Sequence, residues 1–162
     1  MIKSIIRLCS TSCLLASLAL GGMNAYASHY DIQDVQLVSA DIQAQMIAEG
    51  ISNTEQLFAE LILPEQRKAF ESRYGLSAVE VDRLAHLLEL MQIPGIGPKA
   101  ATLLMASGIK DVDALAKSAP DQLLEKVLAT NAQYMITGIQ PDIVIIQDWI
   151  SKAGQVFNKL HY

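Results

Sequence analysis

The chain has 162 residues, 51% of them apolar, with 12 basic and 17 acidic side chains and a formal net charge of −5. Its two cysteines, Cys9 and Cys13, both lie near the N-terminus, which excludes a disulfide scaffold, a thiol nucleophile and a cysteine metal site for the remainder. The acidic balance lacks the basic surplus with which nucleic-acid-binding domains hold phosphates.

Lys3 and Arg7 make a basic start, no acid precedes Asp31, and an apolar or small run extends from Leu8 to Leu20. Gly21-Gly22 and then Ala25-Tyr26-Ala27 follow. That order predicts a secretory signal peptide, residues 1–27, cut after Ala27. The apolar run is about 13 residues, short of the roughly 20 that span a bilayer; a retained anchor is the alternative. Export to the periplasm of a bacterium is the expected destination, with no membrane contact after cleavage. Residues 28–162 are then one domain, long enough to bury its own core. From Ser28 to Met91 four bases meet eleven acids, a net of −7, whereas Gln92 to Tyr162 holds six of each.

After Asp34 the apolar spacing is helical throughout, so the expected fold class is all-α. Gly50 and Gly75 read as helix stops, each followed by an apolar residue, Ile51 or Leu76, that packs back on the helix. Ser52 and Ser77 sit where N-caps belong, and Pro64 suits a first turn. Arg67, Lys68 and Arg73 read as a solvated basic patch. Val81, Leu84, Leu88 and Met91 form one stripe, and His86, between Asp82 and Glu89, reads as a surface ion pair.

Next comes the most distinctive stretch, Ile93-Pro94-Gly95-Ile96-Gly97-Pro98-Lys99-Ala100-Ala101-Thr102-Leu103-Leu104. Pro94 stops the preceding helix near Met91. Gly95 and Gly97 allow a tight turn with exposed backbone, Ile96 plugs the core, and Pro98 opens a helix kept slim by Ala100 and Ala101.

Gly108-Ile109 repeats the stop, with Asp111 as N-cap and Asp113 as a first-turn acid. Pro120 opens a helix carrying Leu123, Leu124, Val127 and Leu128. Pro141-Asp142 reads as the first turn of a last helix with the stripe Ile143, Ile146, Ile150, Ala153 and Phe157. Val144-Ile145-Ile146 alone resembles a buried strand but continues into that stripe. Trp149 there reads as packing.

The stretch Ile93–Leu104 resembles the helix-hairpin-helix family, whose core is apolar-Pro-Gly-apolar-Gly before a short helix. The resemblance implies a turn whose exposed N–H groups hold a nucleic-acid phosphate, here the backbone of Gly95, Ile96 and Gly97 with Lys99 beside it. Such a grip is independent of base sequence. Helix-hairpin-helix glycosylases carry a catalytic Lys at the place of Lys99, but their essential Asp falls on Lys117, so no enzyme is expected.

The chain also repeats weakly. Ala48-Glu49-Gly50-Ile51-Ser52-Asn53 parallels Ala106-Ser107-Gly108-Ile109-Lys110-Asp111, and Gly75-Leu76 parallels Gly138-Ile139. Two degenerate repeats, about 35–92 and 93–157, are therefore expected to bury their apolar faces against each other. In the first, Leu37-Val38-Ser39-Ala40-Asp41 replaces Gly95 to Lys99, so both glycines are gone. The whole chain after the leader is thus similar to paired helix-hairpin-helix modules of unknown function in bacteria. The expected function is a non-enzymatic envelope module that binds a protein or itself. The alternative is weak binding of a DNA phosphate backbone, as in periplasmic DNA-uptake receptors. No cofactor, metal or catalytic residue is implied.

Overall fold

The computed structural model describes residues 29–156 and 159–161; the leader expected over residues 1–27 lies outside them, as does Phe157 of the last stripe. A 3-10 turn, Ile32–Asp34, precedes eight helices among the described residues: α1 Ala40–Ala48, α2 Thr54–Ala59, α3 Pro64–Tyr74, α4 Ala78–Leu90, α5 Pro98–Ala106, α6 Val112–Ala116, α7 Pro120–Tyr134 and α8 Ile143–Ala153. No strand forms there; an isolated bridge joins Asp31 to Asn53. The all-helical expectation holds, and Val144-Ile145-Ile146 is helix.

Prolines and polar caps fix most helix starts. Pro64, Pro98 and Pro120 each occupy the first helical position, where a missing N–H costs nothing. Ser77 accepts from Glu80 N while the Glu80 carboxylate accepts from Ser77 N at 2.8 Å, closing a capping box. The Ser77 hydroxyl, at 2.6 Å, and then its N–H, both donating to the Glu80 carboxyl, hold it below its ordinary value. Asp111 accepts from Ala114 N at 2.7 Å.

Two starts differ from the sequence expectation. The α2 cap is Asn53, accepting from Gln56 N at 2.9 Å, and Ser52 instead donates its N–H to Gln56 Oε1. Asp142 is the cap of α8, accepting from Ile145 N, so Pro141 lies before the helix and not in its first turn.

The stops at Gly50 and Gly108 share one geometry. Ile51 N donates to Met46 O and Gly50 N to Ile47 O; Ile109 N donates to Leu104 O and Gly108 N to Met105 O. Both are Schellman closures, with glycine φ of +92° and +93°. α1 and α5 have nine residues each and begin 58 residues apart, as do α2 and α6. Gly75, after α3, and Met135, after α7, are both left-handed, with φ +66° and +51°.

One core spans the two halves. α4 packs on α2, α3 and α5, α5 also on α7, and α8 on α6 and α7. Phe70, Leu84, Leu88, Leu103, Val127 and Ile146 are among its buried members.

Two polar residues expected at the surface are buried. Arg67 is no part of a solvated patch: its guanidinium donates to the carbonyls of Leu61, Ile62 and His161, the last at 2.6 Å. With His161 N donating to Ile62 O, it clasps residues 159–161 onto the α2–α3 corner, and Leu160 enters the core. His86 is also buried, its Nε2 3.6 Å from Asp82, because its face of α4 points inward. Beside it, burial pushes the Glu89 carboxyl above its ordinary value, opposed by the main-chain N–H groups of Leu160, Val112 and Lys159.

Candidate functional site

The corner between α4 and α5 follows from four residues. Ile96 N donates to Ile93 O at 3.0 Å, closing a turn over Pro94 and Gly95. Pro at the second place and a positive φ at the third, +94° for Gly95, are those of a type II turn. Ile93 and Ile96, at the turn's two ends, are wholly buried; truncating Ile96 to Ala costs about 3 kcal/mol by the usual core scale.

Gly97 is a glycine for a different reason. Its backbone, φ −91° and ψ −179°, is open to any residue. What excludes a side chain is Tyr30, whose hydroxyl lies 2.7 Å from where a Cβ would stand. Tyr30 is fixed from its other end: its N–H donates to Thr54 Oγ1 and its carbonyl accepts from Thr54 N. A Cβ on Gly95 would meet the Trp149 Nε1 at 3.5 Å and the Lys152 ammonium at 3.9 Å. The sequence-predicted residues therefore converge, but under two aromatic side chains.

The predicted backbone donors are only partly available. The N–H of Ile96 donates to Ile93 O within the turn. Gly97 is the N-cap of α5 and has no side chain to cap with. The N–H groups of Gly97, Lys99 and Ala100 consequently have no partner among the described residues, the usual state of an uncapped helix start. α1 contrasts directly: Ser39 caps it from Ile42 N, and Asp41 stands in its first turn where α5 has Lys99.

A groove of about 820 Å³ opens beside this corner. Tyr30 and the chain from Asp34 to Leu37 form one wall, with Arg83 and Leu87 of α4 below them. α5 contributes Pro98 to Ala100, Thr102 and Leu103, and the α7–α8 connection and α8 contribute Ile136, Ile139, Ile145 and Trp149. Asn131 holds that connection in place: its amide donates to Thr137 O and accepts from Thr137 N. Arg83 and Lys99 are cations in the lining, and Asp34 is its acid. Trp149 is 7% exposed.

An apolar rim surrounds the α7–α8 connection, which lends Ile139 to the groove. Tyr134, Met135, Ile139 and Val144, around the α7–α8 connection, are 61%, 84%, 81% and 66% exposed. Among the described residues no three His, Cys, Asp or Glu side chains gather as metal ligands would, and no helix is long and apolar enough to cross a membrane.

Sequence reasoning singled out Gly95, Ile96, Gly97 and Lys99, read Trp149 as packing, and did not point to Tyr30, Arg83 or the rim. Trp149 was legible as an aromatic on a helix facing the core. Tyr30 stands outside every repeat and stripe, so nothing local signals it. A family model described as a domain of unknown function (DUF4332) matches residues 36–156. No curated protein and no solved structure matches the chain.

Proposed function

The chain belongs to this family of unknown function, and from that premise we propose that it is a non-enzymatic, exported binding module that meets an envelope protein or a second copy of itself through the apolar rim. The α4–α5 corner is its helix-hairpin-helix element, and the matched helix pairs α1/α5 and α2/α6 are the remains of a duplication.

The observation that carries this reading is the exposure of Tyr134, Met135, Ile139, Val144 and Ile145. At typical side-chain areas they leave roughly 600 Å² of apolar surface in one connection, the upper range for a monomer. A standard interface takes about 800 Å² per partner, so the rim amounts to an interface centre. The loop that carries it is held by Asn131, so little ordering cost attends its use. Sedimentation of the full chain across a concentration series, with a photo-crosslinker at Ile139 in envelope extract, tests it. The expected result is a concentration-dependent mass, or a crosslink to one protein, that Ile139→Glu abolishes. A monomer at every concentration with no crosslink overturns it.

The uncapped start of α5 beside Lys99 favours a second reading, a sequence-independent grip on a nucleic-acid phosphate. The Tyr30 hydroxyl over Gly97 and the acidic first half oppose it. A salt-dependent mobility shift of duplex DNA supports that reading; no shift at low ionic strength ends it.

A further inference from the structure

We propose that the groove beside the α4–α5 corner is a binding site for a single-chain amphipathic carboxylate, a fatty-acid-like anion, with the head at the corner and the chain along Leu87, Leu103 and Ile145. This goes beyond the rim contact, with which it shares Ile145.

The head group is placed by donors that lack partners. Trp149 is more than nine-tenths buried, yet its Nε1–H has no hydrogen bond among the described residues and lies against Gly95. The indole N–H is not sealed in the core, so an acceptor brought to the corner can reach it. The Tyr30 hydroxyl, against Gly97, is equally unpaired. With them stand the N–H groups of Lys99 and Ala100 and the Lys99 ammonium, none of which has a partner among the described residues. Donors and positive charge converge on one end, which is the complement of a carboxylate. Asp34 in the lining offsets one of the two cations, leaving the wall net positive.

The chain is assigned by what the rest of the groove lacks. Beyond the corner Leu37, Leu87, Leu103, Ile136 and Ile145 make most of the wall, with Asp34, Gln36 and Arg83 as its polar side chains. The hydroxyls there are already used: Thr102 Oγ1 donates to Pro98 O and Thr137 Oγ1 to Ile139 O. A peptide would bring several main-chain N–H and C=O groups into this space with few partners, a cost for each unmet group. A hydrocarbon chain needs none. The volume, about 820 Å³, lies within the ordinary size of a small-molecule site.

The chain's lone tryptophan lines the groove, so its fluorescence reads occupancy. The full chain is titrated with decanoate, below its micelle concentration, and with decan-1-ol, decylamine and N-acetyl-trialanyl-leucine. Expected is saturable binding of decanoate at least tenfold tighter than of the other three. Lys99→Gln should weaken decanoate at least fivefold and leave decan-1-ol unchanged; both side chains are exposed, so folding is not at issue. Equal affinity for decanoate and decan-1-ol, no saturation by any probe, or preference for the peptide overturns the assignment. So does a loss with Arg83→Gln but not with Lys99→Gln, because the head would then sit on α4. Light scattering on the same samples reads the rim separately. A raised mass without decanoate preference ends this proposal alone; saturable decanoate on a strict monomer leaves it standing without the rim contact.

Discussion

The contact between Tyr30 and Gly97 sets a quantitative expectation. In Gly97→Ala the new Cβ would lie 2.7 Å from the Tyr30 hydroxyl oxygen, more than half an ångström inside ordinary contact. Thr54 holds the Tyr30 main chain in both directions, so the ring has little room to retreat. Overpacking of this kind costs about 1–3 kcal/mol. The backbone at Gly97 suits alanine, and the stiffer unfolded chain returns about 0.5 kcal/mol. The net expectation is a loss of about 1–2 kcal/mol. Tyr30→Phe removes the clashing atom, after which the nearest is the ring carbon at 3.5 Å, an ordinary contact. In that background Gly97→Ala should be neutral or slightly stabilising. Urea unfolding of the four proteins, followed by circular dichroism, gives the coupling energy directly, expected at about 1–2 kcal/mol. Gly95→Ala is the contrast: its cost arises from φ +94° and should be the same with Tyr or Phe at position 30. Additive effects of Gly97→Ala and Tyr30→Phe would refute the reasoning, since the glycine would then be required for something other than this hydroxyl.

Met135 is the non-glycine residue in the left-handed region among those described and is almost fully exposed, so Met135→Gly should stabilise by about 1 kcal/mol and raise Tm by about 3 °C. Arg67→Met removes the guanidinium from the Leu61 and His161 carbonyls and leaves Ile62 O to His161 N–H alone; it should cost about 3 kcal/mol in urea unfolding, with the His161 amide losing exchange protection. Glu89 carries a pH signature. Its folded carboxyl titrates above the unfolded one, so the folded state holds the proton more tightly. Its contribution is full below the ordinary carboxylate range and is lost as pH rises from there through the raised value. Glu80, held below its ordinary value, acts in the opposite sense at lower pH. Tm should therefore fall across the Glu89 window in the native chain and stay flat there in Glu89→Gln; an unchanged slope would show that burial is not what shifts this group.

Helix starts and stops were legible because they are written locally. A proline at the first turn, or a glycine followed by isoleucine, needs no distant partner to act, and Pro64, Pro98, Pro120, Gly50 and Gly108 all behave as their sequence predicts. Ser52 and Asn53 are adjacent and both able to cap. The choice fell to Asn53 because Tyr30 and Ile32 pair with the segment 52–54. Arg67 was misread because its partners are spread along the chain, the His161 carbonyl 94 residues away. The left-handed end of α7 at Met135 was not legible, because a methionine carries no local signal for that conformation. The groove was invisible for the same reason as Arg67: its walls come from the N-terminal segment, α4, α5, the α7–α8 connection and α8.

The free donors at α5 are a consequence of packing and not an independent feature. α1 and α5 match in length and in their Schellman ends, yet Ser39 caps one and nothing caps the other. A serine cap needs a Cβ, and at Gly97 that Cβ is denied by the Tyr30 hydroxyl. The approach of Tyr30 therefore does two things at once. It closes one side of the corner, and it obliges the helix start to remain uncapped, with Lys99 where α1 has Asp41. Substituting a capping residue at position 97 would satisfy the helix internally only by displacing the aromatic wall of the groove. The unmet N–H groups and the cavity beside them are in this sense one structural fact, set by the contact between an N-terminal tyrosine and a glycine that must stay bare.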